Sequence, residues 1–299
     1  MLTVVPDAVT EPEPGARWSC AACCGQAASE KIEKDGFYFR VCATCGTASL
    51  DPLPSKRETA EIFGEDYFVG GANGGYRDYL ADESLHRRNA RIRLRAIARS
   101  GAGVGKMLDV GCASGFFLSQ AQRRGWDVMG MDIAPWAARE ARARFDIRVC
   151  SDLESIERES VDVVCMSQVL EHSLEPLDLL RRGYRCLRPH GLLFVETWDR
   201  GSAVARLFGA QWQQITPPSV VHLFTRSGIS SVLARTGFDD PKFARAAKFV
   251  SLGFVAGLLG QKYPRLPRFL RETASTGSVG RLPLPYFFGD LIHVTARRA

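Results

Sequence analysis

Residues 107–115, Met-Leu-Asp-Val-Gly-Cys-Ala-Ser-Gly, constrain the fold of this 299-residue chain more than any other stretch. Met107 to Val110 is a short apolar run broken by one carboxylate, Asp109, and reads as a buried strand. Gly111 and Gly115 flank a tight turn, and Phe116, Phe117, Leu118 and Ala121 then open an apolar helical face. Strand, glycine turn and helix together let a ligand touch backbone at the carboxyl end of a parallel sheet. The glycine spacing narrows the ligand. A pyrophosphate cradle needs G-x-G-x-x-G, and a Walker loop ends in Gly-Lys-Ser/Thr. This chain has Asp109-x-Gly111-x-x-x-Gly115 instead. A carboxylate at the strand end repels phosphate and suits a cationic ligand.

The next residues repeat the unit. Arg124-Gly125 closes the helix with a cationic turn and a glycine stop. Trp126 to Met131 reads as a second strand ending in Asp132, which follows Gly111 by 21 residues. An acid at about that spacing is placed to accept hydrogen bonds from ribose hydroxyls. Pro135 suits the first turn of a helix. Strands at Ile147–Cys150, Val161–Met166 and Leu192–Thr197 follow, with Ser151-Asp152-Leu153 and Ser167-Gln168-Val169-Leu170-Glu171-His172 in the loops between them and a helix begun by Pro176.

This run closely resembles motif I and the following motifs of class I S-adenosylmethionine (SAM) dependent methyltransferases. The resemblance implies an α/β fold with a Rossmann-like seven-stranded sheet. It implies cofactor contacts from Asp109, Gly111, Cys112, Ala113 and Gly115 at the turn, and from Asp132 and Ile133 at the ribose. Asp152 and Leu153 match the adenine-binding turn, and Ser167 and Gln168 the inner wall. Ubiquinone-pathway O-methyltransferases look similar around Gln168-x-x-Glu171-His172 but carry Glu where Gln168 stands, and can use that trio for a metal. A neutral amide weakens a carboxylate-rich site, so no metal is expected at this loop.

Five of the nine cysteines lie between residues 20 and 45. Cys20-Ala-Ala-Cys23 and Cys42-Ala-Thr-Cys45, with 18 residues between them, have the spacing of a closed four-thiolate zinc site. Cys24 is a second candidate beside Cys23, though Cys20–Cys23 has the better spacing. Four sulfur ligands leave no open position, so a zinc held there is structural. Gly36-Phe-Tyr-Phe-Arg-Val reads as a hairpin strand entering the second knuckle. Cys112, Cys150, Cys165 and Cys186 fall on elements of the Rossmann-like unit and read as small core fillers.

Clustered, odd-numbered cysteines argue against a disulfide scaffold and for a reducing, cytoplasmic setting. A net charge of +6 is a mild excess and no nucleic-acid signature by itself. The N-terminus lacks the basic and apolar regions of a secretory signal. The most apolar later stretch, Phe249 to Gly260, is shorter than the roughly 20 residues a membrane span requires. Lys248, Lys262, Arg265 and Arg268 around it leave a substrate cap, a dimer contact or a membrane-surface segment as alternatives.

Four regions are expected: a zinc-ribbon module at 1–54, a lid and helical linker at 55–100, the SAM-binding domain at 101–240, and a cap with closing strands at 241–299. Phe63 to Tyr79, rich in Gly and Tyr, has the composition of a lid or of a plain surface loop. Residues 85–99 form a helix with Ala90, Leu94, Ile97 and Ala98 on one face and Arg88, Arg91, Arg95 and Arg99 on another. The stripe is either a solvated face or a grip on phosphate, RNA or a sugar-nucleotide diphosphate.

Thr225 is a good N-cap for a helix at 226–235, with Gly237 stopping it. His222-Leu-Phe-Thr through Leu233-Ala-Arg-Thr-Gly-Phe238 resembles the C-terminal signature of a bacterial methyltransferase subgroup that often carries an N-terminal zinc ribbon. That subgroup includes sugar C-methyltransferases and enzymes of polysaccharide and natural-product assembly. The resemblance implies SAM as cofactor and a small-molecule or glycan-type acceptor, nucleotide- or lipid-linked in some members. Oligomerisation is open, and no nucleic-acid partner is expected. His222, beside Trp212 and two prolines, is the expected general base. His172 and Glu171 are alternatives at the lip of the cofactor pocket, with Tyr67 and Tyr76 from the lid. Two rival classes are weighed. A zinc-ribbon RNA-binding protein would use the arginine stripe but has no need of Asp109, Gly111, Gly115 and Asp132. A nicotinamide oxidoreductase would need pyrophosphate glycines that are absent.

Overall fold

The computed structural model describes residues 18–70, 75–76, 78–256 and 277–299. The tip of the expected lid at 71–74 and the basic segment 257–270 lie outside the described residues.

The centre is a seven-stranded sheet built from β4 (Lys106–Val110), β5 (Asp127–Met131), β6 (Arg148–Cys150), β7 (Val161–Ser167), β8 (Leu187–Trp198), β10 (Phe238–Arg245) and β13 (Leu291–Arg298). Its order is β10-β13-β8-β7-β4-β5-β6. The strands from β6 to β8 run parallel, and β13 is antiparallel to both neighbours. Order reverses between β4 and β7, and a crevice at such a switch point is where open α/β sheets bind ligands.

Alternation along β8 divides the core. Leu192 and Phe194 face α3 (Glu83–Arg99), α4 (Phe116–Gln122) and α5 (Pro135–Phe145), packing with Leu94, Ile97, Leu118 and Ala141. Leu193 and Val195 face α6 (Pro176–Cys186) and α7 (Arg226–Arg235), packing with Leu180, Ile229 and Val232. This period of two is the geometry of strands buried on both faces. Cys112, Cys165 and Cys186 are buried in these cores, and Cys150 packs at their margin.

The cysteine module folds as β1 (Ala28–Lys34), β2 (Phe37–Cys42) and β3 (Ala48–Leu50). A fourth strand, β9 (His222–Leu223), comes from far along the chain and pairs with β3 through Ala48 and Ser49. Phe39, Val41 and Leu50 of the module share a core with Trp198, Trp212, Val221, Leu223 and Leu291. The module is therefore bolted to the carboxyl edge of the large sheet.

The closing strands expected within 241–299 begin three residues earlier, at Phe238. Phe238–Arg245 pairs with Leu291–Arg298, while residues 248–251, β11, pair instead with Pro283–Tyr286, β12. Within the stretch expected as lid and helical linker, 55–100, α1 (Lys56–Ile62) and α2 (Glu65–Val69) form ahead of α3. Ser55 and Glu58 make a reciprocal capping box on α1: Glu58 N–H donates to Ser55 Oγ, and Ser55 N–H to the Glu58 carboxylate. Among the described residues no helix is long and apolar enough to cross a membrane.

Candidate active site

The glycine turn has the strained geometry its spacing demands. Gly111 lies at φ +71°, and a Cβ there would come within 2.5 Å of Val169 Cγ2. Gly115, at φ +78°, ends the turn where α4 begins. Ala113 also has positive φ, at 46°. Asp132 holds that residue in place: one carboxylate oxygen accepts the Ala113 N–H and the other the Ala134 N–H, each at 2.8 Å. Cys112 is buried, its sulfur against Gly130, where a Cβ would fall 2.5 Å away.

Asp109 is buried beneath the turn, and its Oδ1 has no hydrogen-bond partner. Burial pushes its carboxyl up to about 8, against the pull of Arg93 and with the help of Asp132. Ser167 Oγ at the end of β7 is also buried without a partner. Gln168 follows at φ +56°, its N–H donating to the Glu196 carbonyl at 2.7 Å. Ile133 projects at the rim, 54% exposed, and Asp152 is exposed and paired with Arg182 at 3.3 Å, while Leu153 is buried. The residues expected around a cofactor thus lie along the ends of β4 to β7, with the unpartnered buried oxygens of Asp109 and Ser167 among them.

An aromatic series covers the crevice. Tyr79 stacks on His86 at 4.0 Å between centroids, and His86 lies nearly parallel to Phe116 at 5.4 Å. Tyr76 meets Tyr79 edge-on at 4.7 Å, Tyr67 meets Phe63 at 4.9 Å, and Phe63 meets His172 at 5.4 Å. Phe68 anchors the segment by stacking on Trp136 at 5.0 Å. Edge-to-face and offset pairs of this kind favour one ordered arrangement. Burial lowers His86 to about 3, so it is a neutral ring whose Nε2 donates to the Tyr79 carbonyl at 3.1 Å.

A charged cluster lies under this cover, and most of it is not signalled by the sequence motifs. Arg93 donates from Nε to Glu196 Oε1 at 3.0 Å, with a second, shorter contact from its terminal nitrogen. Glu196 Oε2 also pairs with His293 Nε2 at 2.8 Å. Burial would raise the Glu196 carboxyl, but Arg93 and His293 outweigh it and hold it well below the usual range. Lys248 Nζ lies 4.5 Å from the centre of the Trp198 ring, and burial lowers it to about 8 against the attraction of Glu196. Two signals were available. Glu196 is the one charge in the apolar run Leu192–Trp198, and Arg93 falls off the arginine stripe.

Glu171 is almost fully buried. Its Oε2 accepts the Thr197 hydroxyl at 2.9 Å, while Oε1 has no partner. Burial raises it to about 7. His172 Nδ1 lies 2.6 Å from the Ser219 carbonyl and so carries the proton, leaving Nε2 as an acceptor. Burial lowers its pKa.

His222, the expected general base, lies away from this cluster in the chain's second sheet. It belongs to β9, is 0% exposed, and its Nδ1 lies 3.0 Å from Ser49 Oγ of the cysteine module. Burial lowers it to about 4. It sits between the module and the sheet edge, with its Nε2 buried and without a hydrogen-bond partner. Trp212 is itself core, its Nε1 donating to Asp290 at 3.0 Å. His222→Ala should therefore cost roughly 2–5 kcal/mol of stability, as large-to-small core changes do, and leave turnover of the folded fraction within a few-fold. Thermal melts beside kinetics check this. An unchanged melting temperature with a hundredfold slower reaction would reinstate it as the base.

The four expected zinc ligands converge. Cys20 and Cys45 sulfurs are 3.5 Å apart, as are those of Cys23 and Cys42, and all four lie within 4.8 Å of one another. A tetrahedral ion with bonds of about 2.3 Å sets sulfurs about 3.8 Å apart, so the cluster fits such an ion. The Ala22 and Gly25 N–H groups donate to Cys20 and Cys23 sulfur, each at 3.4 Å. Cys24, at φ +61°, is outside the cluster.

A glycine turn with an acid on each flanking strand, on a sheet with one reversed strand beside β8, defines a SAM-dependent methyltransferase. The chain belongs to that family: residues 81–241 match the family model described as a methyltransferase domain. It is 31% identical over 184 residues to the ubiquinone biosynthesis O-methyltransferase of Xanthomonas campestris pv. campestris, covering 56% of this chain and 77% of that protein. The fold is similar to that of a possible histamine N-methyltransferase from Thermotoga maritima (TM-score 0.52, 18% identity, 78% of this chain and 99% of that one). It is also similar to a phosphoethanolamine N-methyltransferase of Haemonchus contortus solved with S-adenosylhomocysteine (TM-score 0.51, 16% identity, 90% and 71%).

Proposed function

We propose that this enzyme transfers a methyl group to oxygen or carbon of a small, sugar- or glycan-type acceptor, with Glu171 as general base. The observation that carries this reading is the unpartnered, buried Oε1 of Glu171 beside the charged cluster and beneath the tyrosines. Asp109, Gly111, Cys112, Ala113, Gly115, Asp132, Ile133, Asp152, Leu153, Ser167 and Gln168 would hold the cofactor. The fit rests on the orphaned buried oxygens of Asp109 and Ser167 and on the glycine cradle. When bound, SAM supplies an electrophilic methyl group on a sulfonium. The remaining lone pairs of Asp132 would accept hydrogen bonds from ribose hydroxyls, and a bound cation would favour the ionised form of Asp109, which burial otherwise opposes. Zinc in the four-cysteine cluster is structural in this reading, and the unpaired thiols suit a reducing cytoplasm.

The protein's own part is alignment, desolvation and proton removal. The aromatic cover excludes water, which strengthens every charge interaction below it. Lys248, its pKa lowered to about 8 by burial, can donate to an acceptor oxygen. Glu171, raised to about 7, is matched to accept a proton near neutral pH. His172, its Nδ1–H held by Ser219, lines the same wall.

A pH profile tests the assignment. A base acts in its deprotonated form, so kcat/KM should rise through an apparent pKa near 7 and level off above it. Glu171→Gln should remove that limb and lower turnover about 10²-fold or more, with S-adenosylhomocysteine affinity kept. A surviving limb below 6.5 in Glu171→Gln would move the role to His172, and an unchanged profile would refute Glu171 as base.

A further inference from the structure

Arg88, Arg91, Ile92, Arg95 and Phe249 line a cleft of about 500 Å³ that shares no residue with the site above. That volume is in the range of small-ligand sites. The arginines recur at one helix turn apart on α3, while Ala90, Leu94 and Ile97 bury the opposite face. The floor is fixed. Asn89 clamps the Phe249 backbone in both directions, its Nδ2 donating to the Phe249 carbonyl at 2.9 Å and its Oδ1 accepting the Phe249 N–H at 2.7 Å. The Arg88 guanidinium lies over the Phe249 ring, 3.7 Å from its centre.

The charges are unopposed. Arg87 and Arg93 on the same helix pair with Glu83 and Glu196. Among the described residues, none of Arg88, Arg91, Arg95 and Arg99 has an acidic partner. Like charges at this spacing disfavour a helix, and a bound anion would supply the missing countercharge. Guanidinium forks match phosphate oxygens two at a time. Arg91 and Arg95 are separated by about 6 Å of helix rise, a spacing that suits two linked phosphates better than one.

We propose that the cleft between α3 and β11 binds an organic diphosphate through Arg91 and Arg95, with Arg88 and Phe249 as its wall. The site is independent of the methyl-acceptor reading, because Lys248 serves that site and Phe249, its neighbour on β11, serves this one.

Calorimetric titration of the full chain with inorganic pyrophosphate tests the site without any methyl acceptor. Wild type should bind it, and Arg91→Ala/Arg95→Ala should bind about tenfold more weakly or worse. S-adenosylhomocysteine affinity should be unchanged in the variant, which also verifies folding. Should the double alanine variant not fold, Arg91→Lys/Arg95→Lys keeps the charge, removes the fork and should still weaken pyrophosphate. Uridine diphosphate and farnesyl diphosphate are the second arm. Tighter binding of the first assigns a nucleotide-linked ligand, tighter binding of the second a lipid-linked one, and equal binding recognition of the phosphates alone. Undetectable pyrophosphate binding, equal affinity in a folded variant, or sulfate binding as tightly as pyrophosphate would overturn the proposal.

Discussion

Asp132→Ala is expected to weaken binding of S-adenosylhomocysteine about 10- to 100-fold, since a hydrogen bond to a charged acceptor contributes roughly 1.5–3 kcal/mol. The carboxylate has two tasks. It orders Ala113 and Ala134 by accepting their N–H groups at 2.8 Å, and each oxygen keeps a further lone pair for a ribose hydroxyl. Burial raises its pKa only against the pull of those two bonds. Asp132→Asn keeps the shape and loses one acceptor, so it should fall between wild type and alanine. Calorimetry on both variants checks the order, with NAD as a ligand that should not bind. Unchanged affinity in a folded alanine variant would remove Asp132 from the cofactor site.

Cys42→Ser should have an effect beyond its own module. A structural zinc contributes folding free energy directly, and a small ribbon has little core of its own. Here the ribbon is tied to the body by the β3–β9 pairing, by the Leu50 N–H to the Val221 carbonyl at 2.8 Å, and by Arg200, which bonds the Gly46 carbonyl at 3.0 Å and Glu30 at 2.8 Å. The Val221 N–H in turn donates to the Glu171 carbonyl at 2.8 Å, so the edge of the active site leans on the module. Metal analysis should return about one zinc per wild-type chain and close to none for Cys42→Ser. At roughly 2–4 °C per kcal/mol, loss of several kcal/mol should lower the melting temperature by about 10 °C or more. Wild-type protein without metal would refute the zinc assignment.

What could be read from the sequence follows the range over which each signal acts. The glycine turn, Asp132 and the strand–helix alternation are local patterns, and the central sheet has the order they imply. The capping box at Ser55 and Glu58 is equally local, a Ser-x-x-Glu pattern directly after Pro52 and Pro54. His222 shows the opposite case. Its neighbours Pro217, Pro218 and Thr225 are local, whereas its pairing through β9 with Ser49 of β3 joins residues 173 apart in the chain. Arg93, Glu196, His293 and Lys248 come from four separate elements, and only the folded sheet brings them together. Their charges sit in apolar or amphipathic runs whose periodicity reports burial and says nothing of partners.

The most direct test of the central claim follows a labelled methyl group from SAM in cell extract, separated by size and read by mass spectrometry. A labelled small molecule should form with wild type and fall about 10²-fold with Glu171→Gln. Label in RNA or protein, or an equal yield of labelled small molecule from both enzymes, would contradict it.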